Sequence, residues 1–261
     1  MTRMEGMVAL VTGGGRGIGR AIALALADAG CDVAVSSRTQ QELDEVVEEV
    51  RAKGRRGLAV VCDAMVQESI SACVAKVIGA FLRIDILVNN AGGVLPGKTP
   101  LGLLSSTHED QAFLDNLNLN LVSAQRASRE VLPKMLEQGY GRIINIGSGY
   151  AKHSGGLLAY TAAKHGLVGL TRAMAAEVAR QGVTVNCLCP GWTNTKLVDW
   201  DALAIQWGTD GEGARRRASA ENLQNRVLEP EELGPMATLL ASPEAAGITG
   251  QVISVDGGYR V

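Results

Sequence analysis

The 261 residues suffice to bury one core, and an apolar fraction of 46% excludes a disordered chain. A formal net charge of −2 offers no basic footprint for nucleic acid, and no apolar stretch approaches the ~20 residues of a membrane helix. Met1-Thr2-Arg3-Met4-Glu5-Gly6 leads straight into an apolar strand with no room for a signal peptide, and five scattered cysteines suit a reducing compartment, so a cytoplasmic protein is expected.

Short β-branched runs alternate with longer helical stretches. In chain order the pattern predicts strand Val8–Val11, helix Gly17–Ala29, strand Val33–Ser36, helix Gln40–Lys53, strand Leu58–Cys62, helix Glu68–Phe81 and strand Ile84–Val88. It continues with helix Asp110–Gln138, strand Arg142–Ile146, helix Ala159–Gln181, strand Val183–Leu188, helix Pro230–Ala241 and strand Gln251–Val255. Such alternation predicts one α/β domain over 1–261: a doubly wound, Rossmann-type fold with a mainly parallel seven-stranded sheet and helices on both faces. The exception is Trp192–Glu229, which holds all three tryptophans (Trp192, Trp200 and Trp207) although aromatics are only 3% of the chain. A stretch of this length reads as a substrate lid at about 192–229, or else as rings packed on the sheet edge or a neighbouring subunit.

Between the first strand and helix lies Thr12-Gly13-Gly14-Gly15-Arg16-Gly17-Ile18-Gly19. Glycines let the backbone approach a pyrophosphate, and the helix N-terminus offers free N–H groups, so the loop suits a dinucleotide. Tyr160 and Lys164 stand four residues apart on a predicted helix and so share a face. A phenol titrates near ~10, and a nearby cation favours its phenolate, which makes this pair usable for proton transfer. Cys187 and Cys189 point the same way on a strand, but no partner stands at metal-ligand spacing, so no metal site is expected.

With the Gly13-x-x-x-Gly17-x-Gly19 spacing and the Tyr160–Lys164 pair, the chain resembles the short-chain dehydrogenase/reductase family over almost its whole length. Further motifs follow in order: Asn89-Asn90-Ala91-Gly92 after the fourth strand, Asn120 in the long helix, Ser148 at the end of the fifth strand, and Pro190-Gly191 leading to Thr195 after the sixth. The resemblance implies a catalytic set of Asn120, Ser148, Tyr160 and Lys164, with Tyr160 as the acid–base group, Ser148 on the substrate oxygen, Lys164 tuning the phenol and holding the ribose, and Asn120 positioning a relay water. It implies a nicotinamide cofactor held by Thr12, Gly13, Arg16, Gly17, Ile18, Gly19, Ser37, Arg38, Asp63, Ala64, Asn90, Ala91, Gly92, Tyr160, Lys164, Pro190, Gly191, Thr193 and Thr195. Asp63 reads as an adenine contact, as a helix N-cap, or as both. Ser37 and Arg38 stand where an acidic residue would select NAD, and Arg16 supplies a second cation, so NADP is expected and NAD is the alternative.

The implied activity is interconversion of a ketone and a secondary alcohol. Stretches around Lys164–Gly169 and Cys187–Val198 look similar to members acting on 3-oxoacyl thioesters or cyclic ketones. Leu95, Leu157, Leu158, Trp192, Leu197 and Val198 suggest an apolar substrate pocket, His153 reads as a minor substrate contact, His165 as structural and His108 as solvent-exposed. Arg215-Arg216-Arg217 reads as a solvated helix face or as a contact for carrier phosphates. A catalytically silent cofactor sensor or scaffold stays as another class, though such relatives lack the tyrosine, lysine or serine that this chain retains. The resemblance, together with an apolar last strand near Gly250–Gly258 that would leave a sheet edge needing cover, implies a homo-oligomer, expected to be a homotetramer.

Overall fold

A computed structural model describes residues 4–95 and 109–261. Its centre is a seven-stranded sheet of β1 (Val8–Thr12), β2 (Asp32–Ser37), β3 (Gly57–Val61), β4 (Ile86–Asn89), β5 (Gly141–Ile146), β6 (Val183–Pro190) and β7 (Val252–Val255). The spatial order is β3-β2-β1-β4-β5-β6-β7, and every pairing is parallel. Chain direction across the sheet reverses between β1 and β4. Ligand crevices in such sheets open at that switch, beyond the carboxyl ends of the strands.

Alternation along β1 divides the core into two layers. Ala9 and Val11 join Ile22 and Leu26 of α1 (Gly17–Asp28) and Val46 and Val50 of α2 (Gln40–Ala52) on one face. Val8 and Leu10 join Val74 and Val77 of α3 (Gln67–Phe81) and Val131 and Met135 of α5 (Ser123–Gln138) on the other. Each fully buried Leu, Ile or Val contributes about 1.5–3 kcal/mol, so these two layers supply the main stabilising term.

The expected strands all form, with bounds moved by one or two residues. β4 starts at Ile86 because Asp85, fully buried, accepts the Val8 N–H at 2.8 Å and locks the start of β4 to that of β1. The expected single helix over 110–138 is interrupted. α4 (Asp110–Leu117) runs into a π-helical turn at Asn118–Val122 before α5 resumes. The Asn120 amide donates to the Asn116 carbonyl at 3.2 Å and to Gly93 O at 2.9 Å. A side chain competing for a carbonyl of the helical ladder widens that turn.

The next helix, α6 (Leu158–Val178), carries Tyr160 and Lys164. The stretch 192–229 contains two helices that periodicity did not reveal, α7 (Trp200–Trp207) and α8 (Gly211–Ser219), before a 3₁₀ turn (Pro230–Leu233) and α9 (Gly234–Ala241). Its two ends are pinned together: Leu228 N donates to Trp192 O at 2.9 Å and Asn194 N to Leu228 O at 2.8 Å. Among the described residues no helix is long and apolar enough to cross a membrane.

Candidate active site

A cavity of about 840 Å³ opens at the β1/β4 switch, a volume suited to a cofactor-sized ligand. One wall is the glycine loop. Gly13 has φ +63°, and a Cβ on Gly19 would lie 2.2 Å from Gly13 O, so only glycine lets helix and loop meet there. Asn90 holds the loop shut from the β4 side: its amide donates to Thr12 O at 3.1 Å and Gly13 O at 2.9 Å, while Thr12 Oγ1 accepts from the N–H groups of Asn90 and Ala91, each at 3.1 Å. The α1 N-terminus has neither a side-chain cap nor an acidic residue in its first turn. Its free N–H groups therefore fit the pyrophosphate of a dinucleotide.

At one end of the cavity stand Ser37, Arg38, Asp63 and Ala64. Arg38 is exposed and pairs with no carboxylate among the described residues, whereas Arg16 lies 3.3 Å from Glu42, a lining residue that sequence motifs did not reveal. Asp63 is not the helix N-cap considered above, since that position falls to Val66; instead its carboxylate accepts from Met65 N at 2.9 Å.

The middle of the cavity gathers Ser148, Tyr160 and Lys164, brought together by the end of β5 and the first turns of α6. Lys164 is buried, donates to Ile146 O at 2.9 Å and lies 5.5 Å from the Tyr160 ring centroid. Burial pulls its ammonium down to about 8, opposed by Cys187 and Cys189. The Tyr160 phenol moves the other way from the expectation above. Burial pushes it up to about 12, and a hydrogen-bond interaction with Ser148 opposes the rise. With the ammonium turned to the ring and to Ile146, desolvation wins at the hydroxyl.

Asn120 does not line the cavity. It is buried behind Gly92, where its Oδ1 accepts from Gly93 N at 2.8 Å. A Cβ at Gly92 would lie 2.8 Å from Asn120 Oδ1 and 3.4 Å from Lys164 Nζ, so these two polar groups flank a position without a side chain. Gly19 likewise supports the wall from behind, and all the other expected site residues line it. Pro190, Gly191, Thr193 and Thr195 also line the cavity, and Thr195 abuts the glycine loop, its Cγ2 3.2 Å from where a Gly17 Cβ would be.

Beyond Tyr160 the cavity turns aromatic. Trp192 packs against Trp200 and Trp207, both at 6.1 Å between centroids, and its indole N–H donates to Glu221 at 2.8 Å. Glu221 also receives Arg260 at 3.0 Å, and Arg260 donates to Ser154 O at 2.8 Å, tying the 256–260 segment to both 192–229 and the Ser148–Tyr160 loop. Tyr150, Glu221, Tyr259 and Arg260 are cavity residues that no local motif marks.

Of the expected apolar pocket, Leu95, Leu157, Trp192, Leu197 and Val198 line the cavity, but Leu158 is 40% exposed and outside it. His153 packs on Tyr259 at 5.9 Å, outside the lining, so it is not placed to touch a substrate there. His165 is exposed on α6, and His108 lies outside the described residues. Cys187 and Cys189 are buried with their sulfurs 3.8 Å apart, and no group of three metal-ligating side chains occurs among the described residues.

Comparison with known proteins agrees with this geometry. The description "short chain dehydrogenase" matches residues 7–202. The short-chain reductase protein NovJ of Streptomyces niveus is 39% identical, covering 96% of this chain and 93% of its own. The 3-oxoacyl-[acyl-carrier-protein] reductase FabG of Vibrio harveyi is also 39% identical, covering 98% of each chain. A crystal structure of a variant actinorhodin polyketide ketoreductase with NADPH superimposes with a TM-score of 0.90 at 36% identity, covering 97% of each chain. The chain belongs to the short-chain dehydrogenase family of oxidoreductases.

Proposed function

We propose that this protein is an NADP(H)-dependent reductase that interconverts a ketone and a secondary alcohol, with 3-oxoacyl thioesters and cyclic ketones the first substrates to test. The observation that carries this reading is that Ser148, Tyr160 and Lys164 face the same cavity as the glycine loop. When bound, the nicotinamide supplies or accepts the hydride. Tyr160 gives its phenolic proton to the carbonyl oxygen in reduction and takes it back in oxidation, and Ser148 donates a hydrogen bond to that oxygen. Lys164 holds the ribose and, with Asn120 behind Gly92, returns the proton to Tyr160 through water. The segment 192–229, pinned at its neck, acts as the lid over the substrate.

Arg38, unpaired and exposed at the cavity end, supports NADP, because a planar guanidinium suits a ribose phosphate. Glu42 supports the alternative, an NAD-dependent alcohol dehydrogenase, since it occupies Arg16 and adds a carboxylate at that end. Titration of both cofactors decides between them. NADPH should bind more tightly, and Arg38→Ala should weaken it by about 10- to 100-fold while sparing NADH, as expected for a lost charge-assisted contact. Equal affinities in the parent protein would overturn the NADP preference, and tighter binding of NADH would favour the alternative.

We further infer a cytoplasmic homotetramer. The five cysteines are all free and buried, which suits a reducing compartment, and β7 is an edge strand of the sheet. Light scattering at micromolar concentration should return four times the 27.3 kDa chain mass, and a monomer would reject the assembly.

A further inference from the structure

Three consecutive arginines on α8 meet three different fates. Arg216 turns outward to Glu212 at 2.7 Å. Arg215 donates to Asn194 Oδ1 at 3.3 Å and lies over Trp200. Arg217 alone lines the cavity, its guanidinium 4.7 Å from the centre of the Trp207 ring. A cation held on an aromatic face is oriented without using its N–H donors, and arginine has five. No carboxylate or carbonyl among the described residues accepts from Arg217.

The other charges at this end sharpen the point. Glu221 is satisfied by Trp192 and Arg260, and Arg260 is itself spent on Glu221 and Ser154. Asp199 caps α7 by accepting from Ala202 N at 2.9 Å. Lys196, also in the lining, has no ion-pair partner among the described residues. The substrate end thus combines indole surface with two uncommitted cations, and its carboxylates are already engaged.

We propose that Arg217, seated on Trp207, binds an anionic group of the substrate, and that the preferred ketone has an apolar body ending in a carboxylate or phosphate. This rests on reading the cavity as a ketone site. Indole faces take the body, and the guanidinium fork takes two oxygens of the anion. Lys196 adds charge without a fixed direction.

Trp192 and Trp207 stand in this wall and Trp200 packs on Trp192, so tryptophan fluorescence reports binding there independently of turnover. Four probes serve: an aryl ketone, the same ketone bearing a carboxylate, a 3-oxoacyl coenzyme A, and the corresponding uncharged N-acetylcysteamine thioester. The parent protein should bind at least one charged member about tenfold or more tightly than its neutral partner. Arg217→Gln should bring the pair to within about twofold, leaving affinity for the neutral member and for NADPH unchanged. A response confined to the carboxylate pair or to the thioester pair identifies the anion. Equal binding of charged and neutral members in the parent, or an equal loss for both in Arg217→Gln, would overturn the proposal. If no ketone turns over, the assigned reaction fails, while the binding comparison still decides the role of Arg217.

Discussion

Tyr160→Phe should leave NADPH affinity unchanged and slow ketone reduction by about 10²- to 10⁴-fold, the usual contribution of a positioned proton donor. The change removes one hydroxyl. The ring keeps its edge contact with Tyr150 at 6.2 Å and its place beside the Lys164 ammonium. Lys164→Ala should instead weaken both binding and turnover, because it also strips a buried donor from Ile146 O. The pH profile gives a separate check. A phenol held at about 12 by burial stays protonated across neutral pH, so reduction should be flat from about pH 6 to 9 with respect to this group. Alcohol oxidation needs the deprotonated form, whose fraction grows tenfold per pH unit below the pKa, so its rate should climb without a plateau below about pH 10. Single-turnover reduction by Tyr160→Phe at the parental rate would make the tyrosine merely structural.

Asp85→Ala should lower stability by about 2–4 kcal/mol, a large loss for a polar residue outside the cavity. Asp85 is fully buried and accepts from Val8 N at 2.8 Å and from Arg83 at 2.8 and 2.6 Å. Removing it strands the Val8 N–H, which costs about 1–3 kcal/mol. Arg83 is 45% exposed, so water takes over much of its hydrogen bonding and its share is smaller. The midpoint of thermal unfolding should fall on the order of 10 °C, while Asp85→Asn, which keeps an acceptor for Val8, should fall less. Arg51→Ala, which breaks an exposed pair with Glu48, is the control and should not move it measurably. A parental midpoint in Asp85→Ala would show that the β1–β4 junction does not depend on this carboxylate.

The β-branched runs marked all seven strands: β1, β2, β4, β5 and β6 are buried on both faces, and the edge strands β3 and β7, though only partly covered, keep enough β-branched residues to be read the same way. The glycine loop and the Tyr160–Lys164 pair were legible because their spacing is local. What escaped depends on distant partners. The π-helical turn arises from the Asn120 amide reaching Gly93 and Asn116, which a hydrophobic period does not register. α7 and α8 are short and were hidden in a polar, mixed stretch. Tyr259 and Arg260 reach the cavity through the return of the chain past β7, where Arg260 meets Glu221 of the 192–229 stretch, and the three arginines of α8 differ only in the neighbours that packing gives them. The Tyr160 phenol is raised where the lysine spacing alone predicts a fall, because charge proximity along a helix is visible in sequence and desolvation is not.

The junction of β1 and β4 also has a kinetic side. One edge of β1 is filled from nearby in the chain, with Val8 opposite Asp32, but the other waits for Ile86 opposite Ala9. A nascent or refolding chain can therefore assemble its first three strands through the two nearest crossovers, α1 and α2, and then hold an apolar, unpaired β1 edge until β4 arrives. Such non-local parallel pairing is slow to form, and an open strand edge recruits other chains in the interval. The switch that creates the ligand crevice is thus also the place where this chain is most exposed to misassembly.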